Sequence, residues 1–124
     1  MTSENPEAEL DRQALLVALA PTILSGLFGA LEHEDPTARH IAIVNLGRTG
    51  EAGLAAAARL AAIARHDPEI DLRREAVTAL RDIGLRTLPW LLPLVQVSEA
   101  EIADLARKTL QDLAVTPRQR VEKL

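Results

Sequence analysis

The sequence contains no cysteine and no tyrosine, and its large aromatic side chains are limited to Phe28 and Trp90. Without cysteine the chain can form neither disulfides nor thiolate metal sites, and it has no thiol nucleophile. Because aromatic rings are scarce, Leu, Ile, Val and Ala must fill the core, and such a core suits closely packed helices. The missing thiols also lead us to expect a reducing compartment, the cytoplasm.

The net charge of the chain does not indicate a basic surface. The chain has 14 basic and 18 acidic residues, for a net charge of −4, so we expect no nucleic-acid partner. The acidic excess lies near the N-terminus and a short basic run lies near the C-terminus. We therefore expect an acidic tail at residues 1–8, one domain at residues 9–114 and a basic tail at residues 115–124.

A charge-free segment of 19 residues runs from Gln13 to Leu31. Its length approaches the roughly 20 residues that cross a bilayer, but Pro21 divides it and Gly26 and Gly29 dilute it. Membrane association is therefore not expected, and a membrane anchor through residues 13–31 is kept as an alternative. If the segment instead ends a stack of repeats, its uncharged surface needs a cover. A homodimer through the N-terminal helical pair would supply that cover.

An internal repeat organises the middle of the chain. Four residues recur 34 positions later: Arg39, Ala42, Leu46 and Gly50 return as Arg73, Ala76, Leu80 and Gly84. A fixed period of this size is typical of repeat proteins, in which each helical unit buries its apolar face against the next unit.

Helical periodicity and helix-ending residues predict about seven helices. Five of them have approximate ranges of 7–19, 22–32, 51–65, 70–83 and 88–95. The third opens at Asp35-Pro36, and the seventh begins at Ser98-Glu99 and runs to about residue 114. Asp35 is expected to cap the third helix and Gly47 and Gly50 to close it. Pro93 should kink or shorten the sixth helix, and Ser98 and Glu101 should form a capping box for the seventh. The prediction is an all-α fold, an α-solenoid of about three helical pairs plus a C-terminal helix.

The pattern Asp-Pro followed by Arg-x-x-Ala-x-x-x-Leu-Gly-x-x-Gly resembles HEAT-like repeats, in particular the short bacterial phycobilisome-lyase type. The matching residues are Asp35, Pro36, Arg39, Ala42, Leu46, Gly47 and Gly50, then Arg73, Ala76, Leu80, Ile83 and Gly84. The resemblance covers roughly residues 35–96 and implies a right-handed stack. It also implies that Arg39 and Arg73 pair with carboxylates such as Asp35, Asp67 or Asp71.

The histidines suggest capping more than catalysis. His33 and His66 each precede an Asp-Pro pair, where an imidazole can meet the last carbonyls of a helix. A metal site built from His33, Glu34, His40 and His66 lacks the His-Glu-x-x-His spacing. We therefore expect neither a metal nor another cofactor.

Known HEAT-like enzymes do not match these positions. The iron-binding deoxyhypusine hydroxylases use His-Glu pairs on successive repeats, whereas the corresponding positions here read His40-Ile41 and Arg74-Glu75. HEAT-like DNA glycosylases rely on a basic groove that this acidic chain lacks. We expect a protein without enzymatic activity.

We expect this chain to be an interaction module that binds another protein. In a HEAT-like stack the second helix of each pair lines the concave face. That face would expose some of Ala55, Arg59, Ala62 and Arg65 on one helix, and of Arg86, Pro89, Trp90 and Pro93 on the next. We select Arg59, Arg86, Trp90 and Pro93 as protein-binding residues, with Trp90 either an interface anchor or a core residue. The alternative implied by the resemblance is a subunit or chaperone of a bilin-lyase-like complex.

Overall fold

The computed structural model describes residues 22–114, and every regular element in this range is helical. Six helices follow one another: α1 over residues 22–30, α2 Pro36–Arg48, α3 Ala57–His66, α4 Ile70–Ile83, α5 Leu88–Leu91 and α6 Ala100–Ala114. Short 3₁₀ segments precede α3 at Gly50–Ala56 and flank α5 at Leu85–Thr87 and Leu92–Gln96. The all-α fold class is confirmed for these residues. The predicted helix at 7–19 and both tails lie outside them.

Local signals set the start of α2 and the extent of α4. The Asp35 carboxylate accepts a hydrogen bond from the backbone N–H of Thr37 at 2.9 Å, and Pro36 occupies the first helical position. This is the predicted N-cap, with proline placed where its missing N–H costs nothing. Helix α4 has the predicted bounds, Ile70 to Ile83. Its buried residues recur at helical spacing and face the core: Leu72, Ala76, Val77, Ala79, Leu80 and Ile83.

Gly47 does not close α2, contrary to the prediction, because the helix continues to Arg48. The residue is buried where α2 crosses α4. A Cβ at position 47 would lie 3.2 Å from the Ala79 Cα and 3.3 Å from its Cβ. Gly47 therefore permits the close approach of two helices rather than ending one of them.

Proline shortens the sixth predicted helix, as expected. Helix α5 has only four residues, and the chain continues from Leu92 as a 3₁₀ segment that contains Pro93. Pro89 lies in the first turn of α5, where no hydrogen-bond donor is needed.

The predicted capping box of α6 is wrong. The Glu101 carboxylate does not reach back to Ser98 but accepts a hydrogen bond from Arg74 of α4. The first turn of α6 is instead closed by the Glu99 carbonyl, which accepts from the N–H groups of Ile102 and Ala103. A guanidinium is a stronger partner for a carboxylate than a backbone amide, and this accounts for the choice.

The helices pack in a connected order around one core. Helix α4 packs against both α2 and α6, while α3 packs against α4 and also contacts α5. The largest fully buried apolar side chains come from several of these elements: Ile43, Leu46, Leu60, Val77, Leu80, Leu91, Leu94 and Ile102. Aliphatic burial therefore supplies the main stabilisation, as the composition predicted.

Arg39 joins three parts of the chain through one guanidinium. Its Nε and Nη2 donate to the two Asp67 carboxylate oxygens at 2.9 and 3.1 Å, and its Nη1 donates to the carbonyls of His33 and Glu34, both at 2.9 Å. Asp67 also accepts from the backbone N–H of Glu69 at 2.9 Å. The two side chains are only 11% and 4% exposed. The expected pairing of Arg39 with Asp67 is confirmed.

The equivalent Arg73 behaves differently. Its Nε donates to the Ala64 carbonyl at 2.9 Å, and its Nη1 lies 4.0 Å from the carboxylate of Glu99, which is half exposed. Arg73 therefore pairs with a loop carboxylate, as expected, but the partner is Glu99 and not Asp35, Asp67 or Asp71. The loop before α6 carries Ser98-Glu99 where the earlier loop carries Asp67-Pro68, so the available carboxylate is on a longer and more exposed side chain.

Replacing Asp67 should be the most destabilising change in a loop of this fold. Asp67→Ala leaves the Arg39 guanidinium and the Glu69 amide without their acceptor in a nearly dry site, so we expect a loss of about 3 kcal/mol in unfolding free energy. Urea denaturation measures it. Asp104→Ala, which removes an exposed ion pair with Arg107, is the control and should change stability by less than about 1 kcal/mol. Equal effects of the two substitutions would contradict this account.

Gly53 gives a second stability test. A Cβ at this position would stand 2.6 Å from the Leu46 carbonyl oxygen and 2.7 Å from the Thr49 Oγ1. Gly53→Ala should therefore destabilise the fold by about 1–3 kcal/mol through forced backbone movement. Gly26→Ala on α1 meets nothing within 4 Å, and it should stabilise by up to about 1 kcal/mol through helix propensity. Thermal melts that show the same sign for both changes would refute the packing argument.

Candidate functional site

Helix α3 and the 3₁₀ segment before it expose a row of small and basic side chains. Ala55, Arg59, Ala62 and Arg65 are all exposed, and Ala58 joins them. Their spacing of three or four residues puts them on one broad side of the helix. Because alanine carries only a methyl group, the neighbouring elements stand higher than this surface and leave hollows beside it.

One hollow, the α3–α5 groove, has a volume of about 260 Å³. Its lining combines small residues of α3 with bulkier residues of α5 and the 3₁₀ segment after it: Ala58, Ala61, Ala62, Arg65, His66, Pro89, Trp90 and Pro93. The structure therefore brings two of the four selected site residues, Trp90 and Pro93, into the same groove.

Trp90 has two environments. The residue is partly buried and packs against the hydrophobic core, and it also lines the α3–α5 groove. Pro93 follows three residues later, on the same side of the chain, and is exposed. The two alternatives considered for Trp90, core residue and exposed groove residue, thus each describe part of its surface.

The two selected arginines lie elsewhere. The Arg59 guanidinium stands over the Phe28 ring, 5.6 Å from its centroid, an arrangement that favours a cation–π attraction. Arg86 is exposed in the 3₁₀ turn before α5. The arginine that lines the α3–α5 groove is Arg65, which the selection of site residues omitted although the expected concave face included it.

Arg59 lines a second hollow, the α1–α3 groove, also of about 260 Å³. Its lining is Leu31, Glu32, Arg59, Ala62, Ile63, His66 and Asp67. The Asp67 carboxylate is already bound to Arg39. This groove could not be predicted from the sequence, because it depends on how closely α1 and α3 approach each other.

A larger hollow of about 470 Å³ lies between α2 and α4. One of its two lining arginines, Arg74, is paired with Asp71 and Glu101. The hydrogen bond that Arg74 donates to the Glu101 carboxylate raises the pKa of Arg74 above its ordinary value. The hollow therefore offers less free charge than its lining residues suggest.

The histidines do not converge. The His33 Nδ1 accepts a hydrogen bond from the Asp35 N–H at 3.0 Å, and the His40 Nδ1 lies 2.6 Å from the Glu75 carboxylate. Among residues 22–114, no three His, Asp or Glu side chains are grouped so that they could hold a metal ion.

The membrane anchor and the homodimer surface considered for the N-terminal segment lie partly within the described residues. Across residues 22–114, every helix is too short or too polar to traverse a bilayer, but residues 13–21 of the considered anchor lie outside this range. The predicted homodimer surface also falls largely outside it. Of its described part, Ile23 is 52% exposed.

Comparisons with known family models, curated proteins and solved structures gave no match. The grouping with HEAT-like repeats therefore depends on the residue pattern of this chain alone.

The two environments of Trp90 predict an intermediate stability effect. Trp90→Ala should lower the unfolding free energy by about 2 kcal/mol, less than the 3–5 kcal/mol typical of fully buried large aromatics, because part of the ring is already in contact with water. Leu92→Ala, at a neighbouring position that is 56% exposed, should cost under about 1 kcal/mol. Urea denaturation of both variants measures the difference, and no loss for Trp90→Ala would mean that the ring does not support the core.

Proposed function

We propose that this chain is a HEAT-like α-solenoid and acts as a cytoplasmic, non-enzymatic adaptor that binds a protein partner. Three features support the repeat architecture. The Arg-Ala-Leu-Gly pattern recurs at 34 residues, α4 packs against both α2 and α6, and Arg39 bonds to the loop that precedes the next repeat. In this arrangement α3 and α5 are the second helices of successive pairs and line the concave face.

One observation carries the binding role: Trp90, Pro89 and Pro93 stand partly exposed beside the alanine surface of α3. A partner side chain placed there would displace water from indole, prolyl and methyl surfaces at once, and tryptophan is enriched among the residues that dominate binding energy. Arg65 at the same groove supplies a charge that can orient the partner.

The groove lining favours binding over catalysis. It consists mainly of alkyl, prolyl and indole groups, with His66 and Arg65 as its polar members. Nucleophilic or acid–base catalysis needs a reactive group held by an oriented partner. Among the described lining residues of this groove, no carboxylate, hydroxyl or thiol stands beside the imidazole to fill that role.

Ala62→Glu tests the proposal without disturbing the core, because Ala62 is exposed on α3 and glutamate is a good helix former. The added side chain fills the groove and places a charge beside Trp90. We expect proteins that are captured from an extract of the native cells by the wild-type chain to be lost with this variant. Quantitative mass spectrometry of the captured proteins is the measurement.

The matched control is Ala55→Glu, which adds the same side chain to an exposed alanine that lines neither groove. It should retain every partner that the wild-type chain binds. If the captured proteins are identical for the wild type and both variants, the groove is not the binding surface and the proposal fails.

A further inference from the structure

The two grooves on either side of α3 form one trough. The α1–α3 groove and the α3–α5 groove share two lining residues, Ala62 and His66. The methyl group of Ala62 is too small to separate them, so a ligand can pass over α3 at this point and enter both.

We propose that this trough binds an extended acidic segment of a partner protein in the polyproline II conformation, with apolar side chains at positions i and i+3, one in each groove. This inference depends on the proposed protein-binding function and specifies its ligand.

The spacing of the grooves selects the conformation. Packed helices lie about 8–10 Å apart, so hollows on the two sides of α3 are separated by about that distance. Polyproline II has three residues per turn and rises about 3.1 Å per residue, which places residues i and i+3 on one face about 9 Å apart. A β-strand places its same-face residues about 7 or 13 Å apart, and neither distance matches.

The size and lining of each groove suit one apolar side chain. A cavity of about 150 Å³ accommodates benzene, so the volume of about 260 Å³ in each groove is ample for a leucine or proline side chain. The floor of the α1–α3 groove includes Leu31 and Ile63, and the α3–α5 groove offers Ala58, Ala61 and Trp90. Proline stacks readily on such aromatic surfaces in a polyproline II ligand.

The charges of the trough favour an acidic ligand. Arg59 and Arg65 line its two halves, and the Asp67 carboxylate is neutralised by Arg39. Glu32 is then the remaining acidic group in the described lining, so the trough is positive in a chain whose net charge is negative. Such a surface attracts acidic segments and repels basic ones.

The donors of the trough also favour an extended chain over a helix. The backbone carbonyls of a polyproline II segment have no internal partners and accept hydrogen bonds from outside. The Arg65 guanidinium, in the α3–α5 groove, and the His66 imidazole, which lines both grooves, can donate to them. A bound helix satisfies its own carbonyls and would leave these donors unused.

The test uses fluorescein-labelled synthetic peptides and the full-length chain, with binding followed by fluorescence anisotropy. Three peptides have two leucines in a background of proline and glutamate, and the leucines are separated by two, three or four positions. A fourth, the seven-position peptide, has its leucines seven positions apart in a background of alanine and glutamate, which can form a helix. We expect the three-position peptide to bind at least about tenfold more tightly than those with two or four, since a misplaced leucine forfeits one groove. Replacing glutamate by lysine in the three-position peptide should abolish binding.

Three variants assign the contacts. Ala62→Glu should abolish binding of the three-position peptide because position 62 lies in both grooves. Ala58→Glu alters only the α3–α5 groove, so it should weaken binding and remove the preference for the three-position spacing. Ala55→Glu should bind like the wild type. Raising the ionic strength from about 0.1 M to 1 M should weaken binding, because the screening length falls from about 10 to 3 Å.

The remaining outcomes separate this inference from the function on which it depends. Tightest binding by the seven-position peptide would indicate a helical ligand, and tightest binding by the lysine peptide would indicate a basic one. Either result overturns the inference. If no peptide binds but capture of cellular proteins still depends on Ala62, the extended-segment inference fails and the protein-binding function stands. If capture is also unaffected by Ala62→Glu, both fail.

Discussion

The arrangement of α1, α2 and α3 depends on the hydrogen bonds that the Arg39 guanidinium donates. This guanidinium bonds simultaneously to the loop between α1 and α2, through the carbonyls of His33 and Glu34, and to Asp67 at the end of α3. A planar group with several fixed donors can bridge these acceptors, whereas a lysine ammonium could not make the same bidentate contact with a carboxylate. Because the pair is nearly buried, moving either side chain away would leave the charge of the other unpaired in apolar surroundings. The relative positions of α1 and α3, and hence the groove between them, follow from this contact.

The next junction along the chain is built differently, and the α3–α5 groove is a consequence. Arg73 again donates to the end of α3, at Ala64, but its carboxylate partner Glu99 is distant and exposed. Pro93 ends α5 after four residues. A longer second helix could have covered the alanines of α3, while the shortened one leaves them exposed and leaves Trp90 only partly covered. The same proline that interrupts the helix therefore leaves the surface beside α3 open.

Sequence reasoning succeeded where the signal was local and failed where two helices had to be oriented. The cap at Asp35, the bounds of α4 and the shortening at Pro93 follow from the chemistry of a few adjacent residues. The Arg39–Asp67 pair could be predicted because the repeat places Arg39 one turn into α2 and Asp67 in the Asp-Pro loop of the next repeat. The close approach of α2 and α4 at Gly47 and the hydrogen bond from Arg74 to Glu101 could not be predicted, since both depend on the distance between separate helices.

The position of each arginine of α3 in a particular groove also depends on how the helices are oriented. The sequence analysis places Arg59 and Arg65 on one face of α3. Successive residues advance by about 100° around a helix, so two residues six positions apart point about 120° away from each other. A hydrophobic pattern fixes the buried side of a helix, but it leaves the two edges of the exposed side equivalent. Only the positions of α1 and α5 decide that Arg59 lies towards Phe28 and Arg65 towards Trp90.

The proposed binding surface gains from being formed by a helix whose end is held by two arginine side chains. The Ala64 carbonyl accepts from Arg73 and the Asp67 carboxylate is held by Arg39, so the last turn of α3, with Arg65 and His66, is fixed before a ligand arrives. Alanine side chains have no rotamers to lose, and proline rings have almost none. A ligand that binds there orders only itself and a few long side chains, and the cost of association is correspondingly small. The scarcity of large side chains on this face thus suits the proposed role, because a surface of methyl groups, prolines and a single indole loses little conformational freedom when a ligand covers it.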